Sequence, residues 1–154
     1  MDSSYVHGKS GETFIRFTAV KEDLKKVRSR ETSQSGGIDF DLPVTNVIKQ
    51  ENNLMYQMVT LDPVTGNPRF GSYFFENINE DITKLGIGDL NRIKADGRVK
   101  VKIVLDGEVD FLKSKTTNIE DWTGSGSVFD GGGNQFYNPT GRNKIKSYEI
   151  IETY

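Results

Sequence analysis

The sequence predicts an α+β fold built as a single domain of residues 1–154. Segments in which apolar and polar residues alternate, such as VKVKIVL, are typical of half-exposed strands. Short segments with apolar residues at helical spacing follow residue types that cap helices, and long connections rich in Gly, Pro, Asn and Ser separate these elements. A chain of 154 residues with 34% hydrophobic content supports one core and is too short for two domains of ordinary size.

The first part of the chain predicts a strand, a short helix and a second strand. Residues 13–20, TFIRFTAV, are aromatic and β-branched, which favours a strand. In the following KEDLKKVRSR, apolar residues recur at helical spacing, acidic residues precede basic ones, and Thr18 is the expected N-cap. Residues 1–12 are expected to form a flexible N-terminus. Residues 54–61 predict an apolar strand that ends in the turn-forming sequence DPVTGNP.

The second part of the chain predicts two strands that enclose short helices, and a last strand. FGSYFFENI favours a strand, and NEDITKLG favours a helix that is capped by Asn79 and ends at Gly86. DLNRIK predicts a second short helix. In VKVKIVLDGEV, branched apolar residues alternate with Lys100 and Lys102, so both lysines are expected on a solvated face or a protected edge. KIKSYEIIETY is expected to form the last strand.

Composition excludes several classes of function. Twenty basic and twenty-two acidic residues give a net charge of −2, so no global positive charge favours nucleic acid as a partner. The chain has no cysteine, which excludes disulfides, thiolate metal sites and a cysteine nucleophile. No apolar run approaches the roughly 20 residues that span a bilayer, and the first residues lack the apolar region of a signal peptide, so we expect no membrane partner and delivery by a larger protein.

A run of glycines near the end of the chain is the first candidate site. GGGNQF, from Gly131 to Phe136, removes side chains from a loop and permits positive φ. Such a loop can let backbone amides approach an anion or can form the wall of a pocket, with Gln135 directed into that pocket. A surface loop before a strand is the alternative. The loop lacks the Gly-Lys-Ser/Thr ending of a phosphate-binding loop.

The segment NPRFGSYFF is the second candidate site. Its guanidinium, on Arg69, is suited to a two-point contact with a phosphate or a carboxylate. The neighbouring aromatic residues Phe70, Tyr73 and Phe74 could face a planar or cationic ligand. The alternative is an arginine at the surface that covers aromatic residues of the core.

Together, RFGS from Arg69 and the later VFDGGGNQF resemble the tuberculosis necrotizing toxin family of NAD glycohydrolases. The hallmark of that family is an Arg-Phe-Gly near the start and a Gly-Gly-Gly-x-Gln near the end. The family belongs to the wider ADP-ribosyltransferase-like fold, so the resemblance implies a split, mostly antiparallel sheet that holds NAD in a central cleft. It also implies that Arg69 contacts the dinucleotide and that Gln135 lies at the scissile glycosidic bond, the two being the catalytic residues.

A looser analogy with the wider fold adds further residues. It implies Arg16 as a first-strand residue, which leaves open whether Arg16 or Arg69 is the main phosphate contact. The substrate-binding residues implied in all are Arg16, Phe70, Gly71, Ser72, Tyr73, Phe74, Gly132, Gly133 and Phe136. The chain departs from the family at Asn77, where the family has a tyrosine, and in VKVKIVL, which lacks the family's histidine.

The resemblance implies a bacterial polymorphic-toxin effector that consumes NAD or NADP and requires no metal. It implies delivery as part of a larger secreted protein, action in the target-cell cytoplasm during interbacterial competition, and a cognate immunity protein. One alternative is an ADP-ribosyltransferase toxin that modifies a target protein, although Gln135 in place of a Glu favours hydrolysis. The other is a toxin nuclease or a non-enzymatic binding domain that shares only the glycine-rich loop.

Overall fold

The computed structural model describes residues 45–116, 118–120, 125–138 and 140–154. The strand predicted over residues 13–20, the helix after it and the flexible N-terminus of residues 1–12 lie outside these ranges. The described strands are β1 Thr45–Lys49, β2 Leu54–Val59, β3 Tyr73–Phe74, β4 Val99–Leu105, β5 Val109–Lys115, β6 Ile119–Glu120, β7 Val128–Phe129, β8 Asn134–Tyr137 and β9 Ile145–Thr153.

The described helices are few and short. One α-helix covers Leu90–Ala95, and two 3-10 helices cover Ile82–Lys84 and Gly141–Lys144. None of the helices in the described part is long and apolar enough to cross a membrane.

The strands form two main antiparallel sheets and a small third one. The first sheet has four strands in the order β1-β5-β8-β3, and the second has three in the order β2-β4-β9. Strands β6 and β7 pair separately. All of these pairings are antiparallel, which confirms the predicted α+β fold with a mostly antiparallel sheet and short helices.

The two main sheets meet at an isolated bridge between Tyr56 of β2 and Phe75, directly after β3. The amide of Tyr56 donates to the carbonyl of Phe75 at 2.7 Å, and the amide of Phe75 donates to the carbonyl of Tyr56 at 2.9 Å. Their rings also stack, with centroids 5.6 Å apart. The two sheets are therefore joined at β2 and β3, and each continues away from this junction.

Two apolar clusters hold the sheets together. The larger is formed by side chains of both main sheets, namely Met55, Val59, Phe74, Val99, Val101, Ile103, Leu105, Val109, Phe111 and Phe136. The smaller lies beside the junction and contains Tyr56, Met58, Phe75, Ile82 and Ile93. The branched apolar residues of β4 face the larger cluster, as the alternation of its sequence predicts.

The predicted exposure of Lys100 is wrong. Strand β4 is the central strand of its sheet, between β2 and β9, and Lys100 is only 5% exposed. Its ammonium donates to the carbonyl of Ile78 at 3.0 Å and to the carboxylate of Glu152 at 3.3 Å. The alternation of residue types in β4 correctly places the lysines on the face opposite the core side chains. It does not show that the segment containing Ile78 covers that face of the sheet. Lys102 is half-buried and pairs with Glu149.

Two other predicted elements are shorter than expected. FGSYFFENI forms only the two-residue strand β3. The segment predicted as a helix from Asn79 is a single 3-10 turn capped by Asp81, whose carboxylate accepts from the amide of Thr83 at 3.0 Å. Gly86 follows this turn at φ +72°, so the turn ends where the sequence predicts. The helix predicted in DLNRIK is confirmed as Leu90–Ala95, with Asp89 as its N-cap.

Candidate functional site

A cavity of about 270 Å³ lies next to the junction of the two sheets. Its walls come from the second half of β2, the segment 69–75 that leads into and past β3, and residues 85–87 after the first 3-10 helix. Arg98, Ile119 and Gln135 complete the lining. The cavity thus lies between elements of both main sheets, beside the bridge that joins them.

The cavity brings together the two residues predicted to be catalytic. Arg69 and Gln135 are far apart in the sequence, and both line this cavity. The backbone amide of Arg69 donates to the carbonyl of Thr60 at 2.9 Å, which fixes the segment before β3 against the end of β2. The Arg69 side chain is 57% exposed, with Nη2 3.9 Å from a carboxylate oxygen of Asp62.

Asp62 is a weak partner for Arg69 because the contact between them is long and exposed to solvent. One oxygen of the Asp62 carboxylate accepts from the amide of Val64 at 2.8 Å and from the amide of Thr65 at 3.0 Å. These two hydrogen bonds, the Thr65 bond first, lower the pKa of Asp62 more than the charge of Arg69 does. Most of the Arg69 guanidinium is therefore available to a ligand.

The amide of Gln135 is held in place by two hydroxyl groups at the end of the adjacent strand β5. Gln135 is 4% exposed, on strand β8. Its Oε1 accepts from the hydroxyl of Thr116 at 2.8 Å, and its Nε2 donates to the hydroxyl of Ser114 at 3.3 Å. Both partners are themselves buried. These bonds anchor the amide through both its oxygen and its nitrogen.

Tyr73, predicted to bind substrate, also lines the cavity and has an unused hydroxyl. Its ring packs against the ring of Tyr137, with centroids 4.9 Å apart. The buried hydroxyl has no hydrogen-bond partner among the described residues. Burial, and secondarily the neighbouring Tyr137, raises the pKa of Tyr73, so this hydroxyl is a neutral donor at physiological pH.

Gln57 is a buried residue that the motifs do not contain, and it fixes the RFG segment. Its Oε1 accepts from the amide of Gly71 at 2.9 Å, and its Nε2 donates to the carbonyl of the same residue at 3.0 Å. Gln57 is 2% exposed and also lines the cavity. A single amide within the apolar strand LMYQMV is the sequence signal for such a residue, because buried polar groups require partners.

The glycine run packs against the protein and does not present free amides. The amide of Gly131 donates to Asn118 Oδ1 at 2.8 Å, that of Gly132 to the carbonyl of Thr116 at 2.8 Å, and that of Gly133 to the carbonyl of Lys84 at 2.9 Å. A Cβ on Gly133 would lie 2.9 Å from that carbonyl oxygen, and Gly132 has φ +99°. These bonded amides do not favour the anion-binding alternative: the glycines permit close packing and a left-handed turn, and the binding roles of Gly132 and Gly133 stay predictions.

The remaining predicted binding residues divide between the cavity and the core. Gly71 and Ser72 line the cavity, and so does Phe74, although the Phe74 ring packs edge-to-face on Phe111. Phe136 belongs to the larger apolar cluster, with its ring centroid 6.0 Å from that of Phe111.

Phe70 contacts the ring of Tyr148 and packs on the same apolar cluster. Arg16 lies outside the described residues. The binding roles of these residues stay predictions. No cluster of three or more His, Asp or Glu side chains suited to a metal occurs within the described ranges.

Comparison with solved structures shows a distant likeness. No family model matches the chain, and no curated protein matches it. The solved structure of Tse6 in complex with Tsi6 resembles the chain with a TM-score of 0.48 and 19% sequence identity, over 88% of this chain and 96% of that one. A likeness this distant supports no conclusion about the activity of this chain.

Proposed function

We propose that this chain is a toxin effector domain that hydrolyses the nicotinamide–ribose bond of NAD, or of NADP, in the cavity beside the sheet junction. The observation that carries the proposal is the meeting of Arg69 and Gln135 on one cavity. These are the two residues that the resemblance to NAD glycohydrolases marks, and they come from separate segments of the chain. The volume of about 270 Å³ is near the lower limit of ligand pockets, about 300 Å³, so it would accept the nicotinamide riboside half of NAD.

The side chains of the cavity suit this reaction. Among the described residues that line it, none is His, Asp or Glu, so the lining offers no ordinary general acid or base. Cleavage of NAD requires no strong acid, because nicotinamide leaves from a ring that is already cationic, through an oxocarbenium-like transition state comparable to that of glycosidases. The remaining requirements are to hold the ribose and to admit water.

The fixed amide of Gln135 is the group we assign to the ribose. This side chain lines the cavity and is anchored through Oε1 to Thr116 and through Nε2 to Ser114. Hydrogen bonds from a group already oriented cost little reorganisation in the transition state. In this proposal Arg69 holds the diphosphate, and the Tyr73 hydroxyl donates to the substrate.

The proposal includes the setting of the reaction. The domain is delivered as part of a larger secreted protein, acts in the target-cell cytoplasm and is inhibited by a cognate immunity protein that closes the cavity. The resemblance in the two motifs is the support for this part.

The experiment is to mix the purified protein with NAD alone and to separate nicotinamide from ADP-ribose. We expect turnover by the unaltered protein, loss of turnover in Gln135→Ala, and a raised KM in Arg69→Ala. Arg142→Ala is the control, because Arg142 is an exposed arginine that does not line the cavity. Urea unfolding of each variant separates loss of function from loss of fold.

The products decide between the proposed reaction and its alternatives. Free ADP-ribose formed without any other protein supports hydrolysis. If NAD stays intact with the purified protein alone and ADP-ribose is attached to a protein once cell lysate is added, the chain is a transferase. An intact NAD pool and no labelling would refute both.

A further inference from the structure

Arg98 is a cavity-lining residue that neither motif contains. It lies between the α-helix Leu90–Ala95 and β4, and its backbone is fixed on both sides. Its amide donates to the carbonyl of Ile93 at 3.2 Å, and its carbonyl accepts from the amide of Tyr154 at 3.3 Å. The base of this side chain is therefore rigidly positioned next to the cavity.

The guanidinium of Arg98 has one bonded side and one unused side. Nη1 donates to the carbonyl of Met58 at 3.0 Å, at the end of β2. Among the described residues, the buried Nε has no hydrogen-bond partner and Nη2 makes no hydrogen bond. Nε and Nη2 form one edge of the planar guanidinium, the edge that can grip two oxygens of a phosphate or a carboxylate.

No described carboxylate neutralises Arg98. The neighbouring Asp96 attracts it, but the Nε of Arg92 donates to both oxygens of Asp96 at 3.0 Å. Burial lowers the pKa of Arg98, which is the expected effect on a cation removed from water. A half-buried charge without a carboxylate partner is unfavourable, so this arrangement favours an external anion as the partner.

The lining as a whole is positively charged although the chain is not. Arg69 and Arg98 are its charged residues among those described, and no described lining residue is acidic. The whole chain carries a net charge of −2. A cavity with two arginines and no acid favours a ligand with more than one negative charge.

We infer that Arg98 binds an anionic phosphate group in the cavity through its Nε and Nη2 edge. If the proposed function holds, on which this identification of the ligand rests, the group is the diphosphate of the dinucleotide. Arg98 is then a half-buried anchor for the phosphate, and the more exposed Arg69 is the second cation. Arg98 is a binding residue in this inference and takes no part in bond cleavage.

The test uses inorganic pyrophosphate as the probe and isothermal titration calorimetry as the measurement. Arg98→Lys keeps the positive charge and removes the two-donor edge of the guanidinium. We expect this variant to bind pyrophosphate about 10- to 100-fold more weakly, because that is the effect of losing one charge-assisted hydrogen bond. Arg142→Lys, the same change outside the cavity, should bind pyrophosphate as the unaltered protein does. An Arg98→Lys protein that folds and binds equally well would overturn the inference, as would an unaltered protein that binds no pyrophosphate.

A second measurement does not depend on the variant being stable. In the unaltered protein, the Nε–H resonance of Arg98 in a 15N spectrum of arginine side chains should shift as pyrophosphate is added. An unchanged resonance at saturation would overturn the inference. Arg98-dependent binding of pyrophosphate by a protein that leaves NAD intact would retain the inference and reject the proposed hydrolase, so the two failures are distinguishable.

Discussion

The two faces of the β3–β8 strand pair differ in polarity: one carries apolar side chains and the other polar ones. On one face, Phe74 and Phe136 pack with Phe111 in the larger apolar cluster. On the other, the half-buried Tyr73 and the buried Gln135 contribute polar groups to the lining of the cavity. Since successive residues of a strand point to opposite faces, a step of one residue separates the part of the sequence that stabilises the sheet from the part that lines the cavity.

The comparison is tested most strongly at Phe136, which the resemblance implies as a binding residue. Phe136→Ala should lower the free energy of unfolding by about 3–5 kcal/mol, as expected for a fully buried aromatic side chain. Urea unfolding measures this loss. The milder Phe136→Leu should stay folded and keep the KM for NAD unchanged, and a raised KM in that variant would mean that the core face also contacts the substrate.

The glycine motifs provide a matched pair of substitutions. Gly133→Ala should destabilise the fold by about 1–3 kcal/mol, because the new Cβ would lie 2.9 Å from both Lys84 O and Leu85 Cδ2. Gly71→Ala should change stability by less than about 0.5 kcal/mol, since a Cβ there meets nothing within 4 Å. Thermal or urea unfolding of both variants measures the difference. Equal effects would contradict the close packing of the glycine run.

Thr116 bonds the Gln135 amide, and substitutions at Thr116 distinguish the effect of this hydrogen bond from the effect of side-chain packing. Thr116→Val removes the hydroxyl that donates to Gln135 Oε1 and keeps the shape of the side chain. We expect a loss of about 1 kcal/mol in stability, together with a fall in kcat for NAD at nearly unchanged KM. Thr116→Ser is the control, because it keeps the hydroxyl. Equal kcat values for the two variants would show that the bond does not orient the amide.

The smallest expected effect is the pH dependence contributed by Asp62, at the exposed rim near Arg69. Its pKa is lowered in the folded protein, mainly by hydrogen bonds from the Thr65 and Val64 amides. A lowered folded pKa means that its stabilisation is present above the ordinary Asp value, about 3.9, and is lost as pH falls through the lower folded value. Urea midpoints of the unaltered protein and Asp62→Asn should converge in acid, and a constant difference would contradict this.

The sequence predicts the apolar strands better than the connections between them. The alternation in Val99–Leu105 identifies the core face of β4, because burial of every second residue leaves a direct pattern in the sequence. It does not predict the burial of Lys100, which depends on the distant Ile78 segment. The expected helix from Asn79 is a single 3-10 turn because the Asp81 side chain bonds Thr83 and the glycine at position 86 ends the turn.

The candidate site is only partly visible in the sequence. The motifs single out Arg69 and Gln135, which line one cavity, but they do not single out the residues that hold them in place. Gln57 and Thr116 act through hydrogen bonds to residues distant in the chain, and such partners are defined only by the folded structure. Arg98 is missed for a similar reason, since its unused edge becomes recognisable only when every neighbouring acceptor is known.

The bridge between Tyr56 and Phe75 joins the two main sheets beside the cavity. An isolated pair of hydrogen bonds has no adjacent pairs in register to reinforce it, so it opens more often than the strands on either side. Phe75 also lines the cavity, so opening of this bridge would displace one of its walls. A ligand that contacts both sheets at once would hold the bridge closed, and amide hydrogen exchange at these two residues would slow in proportion to its occupancy.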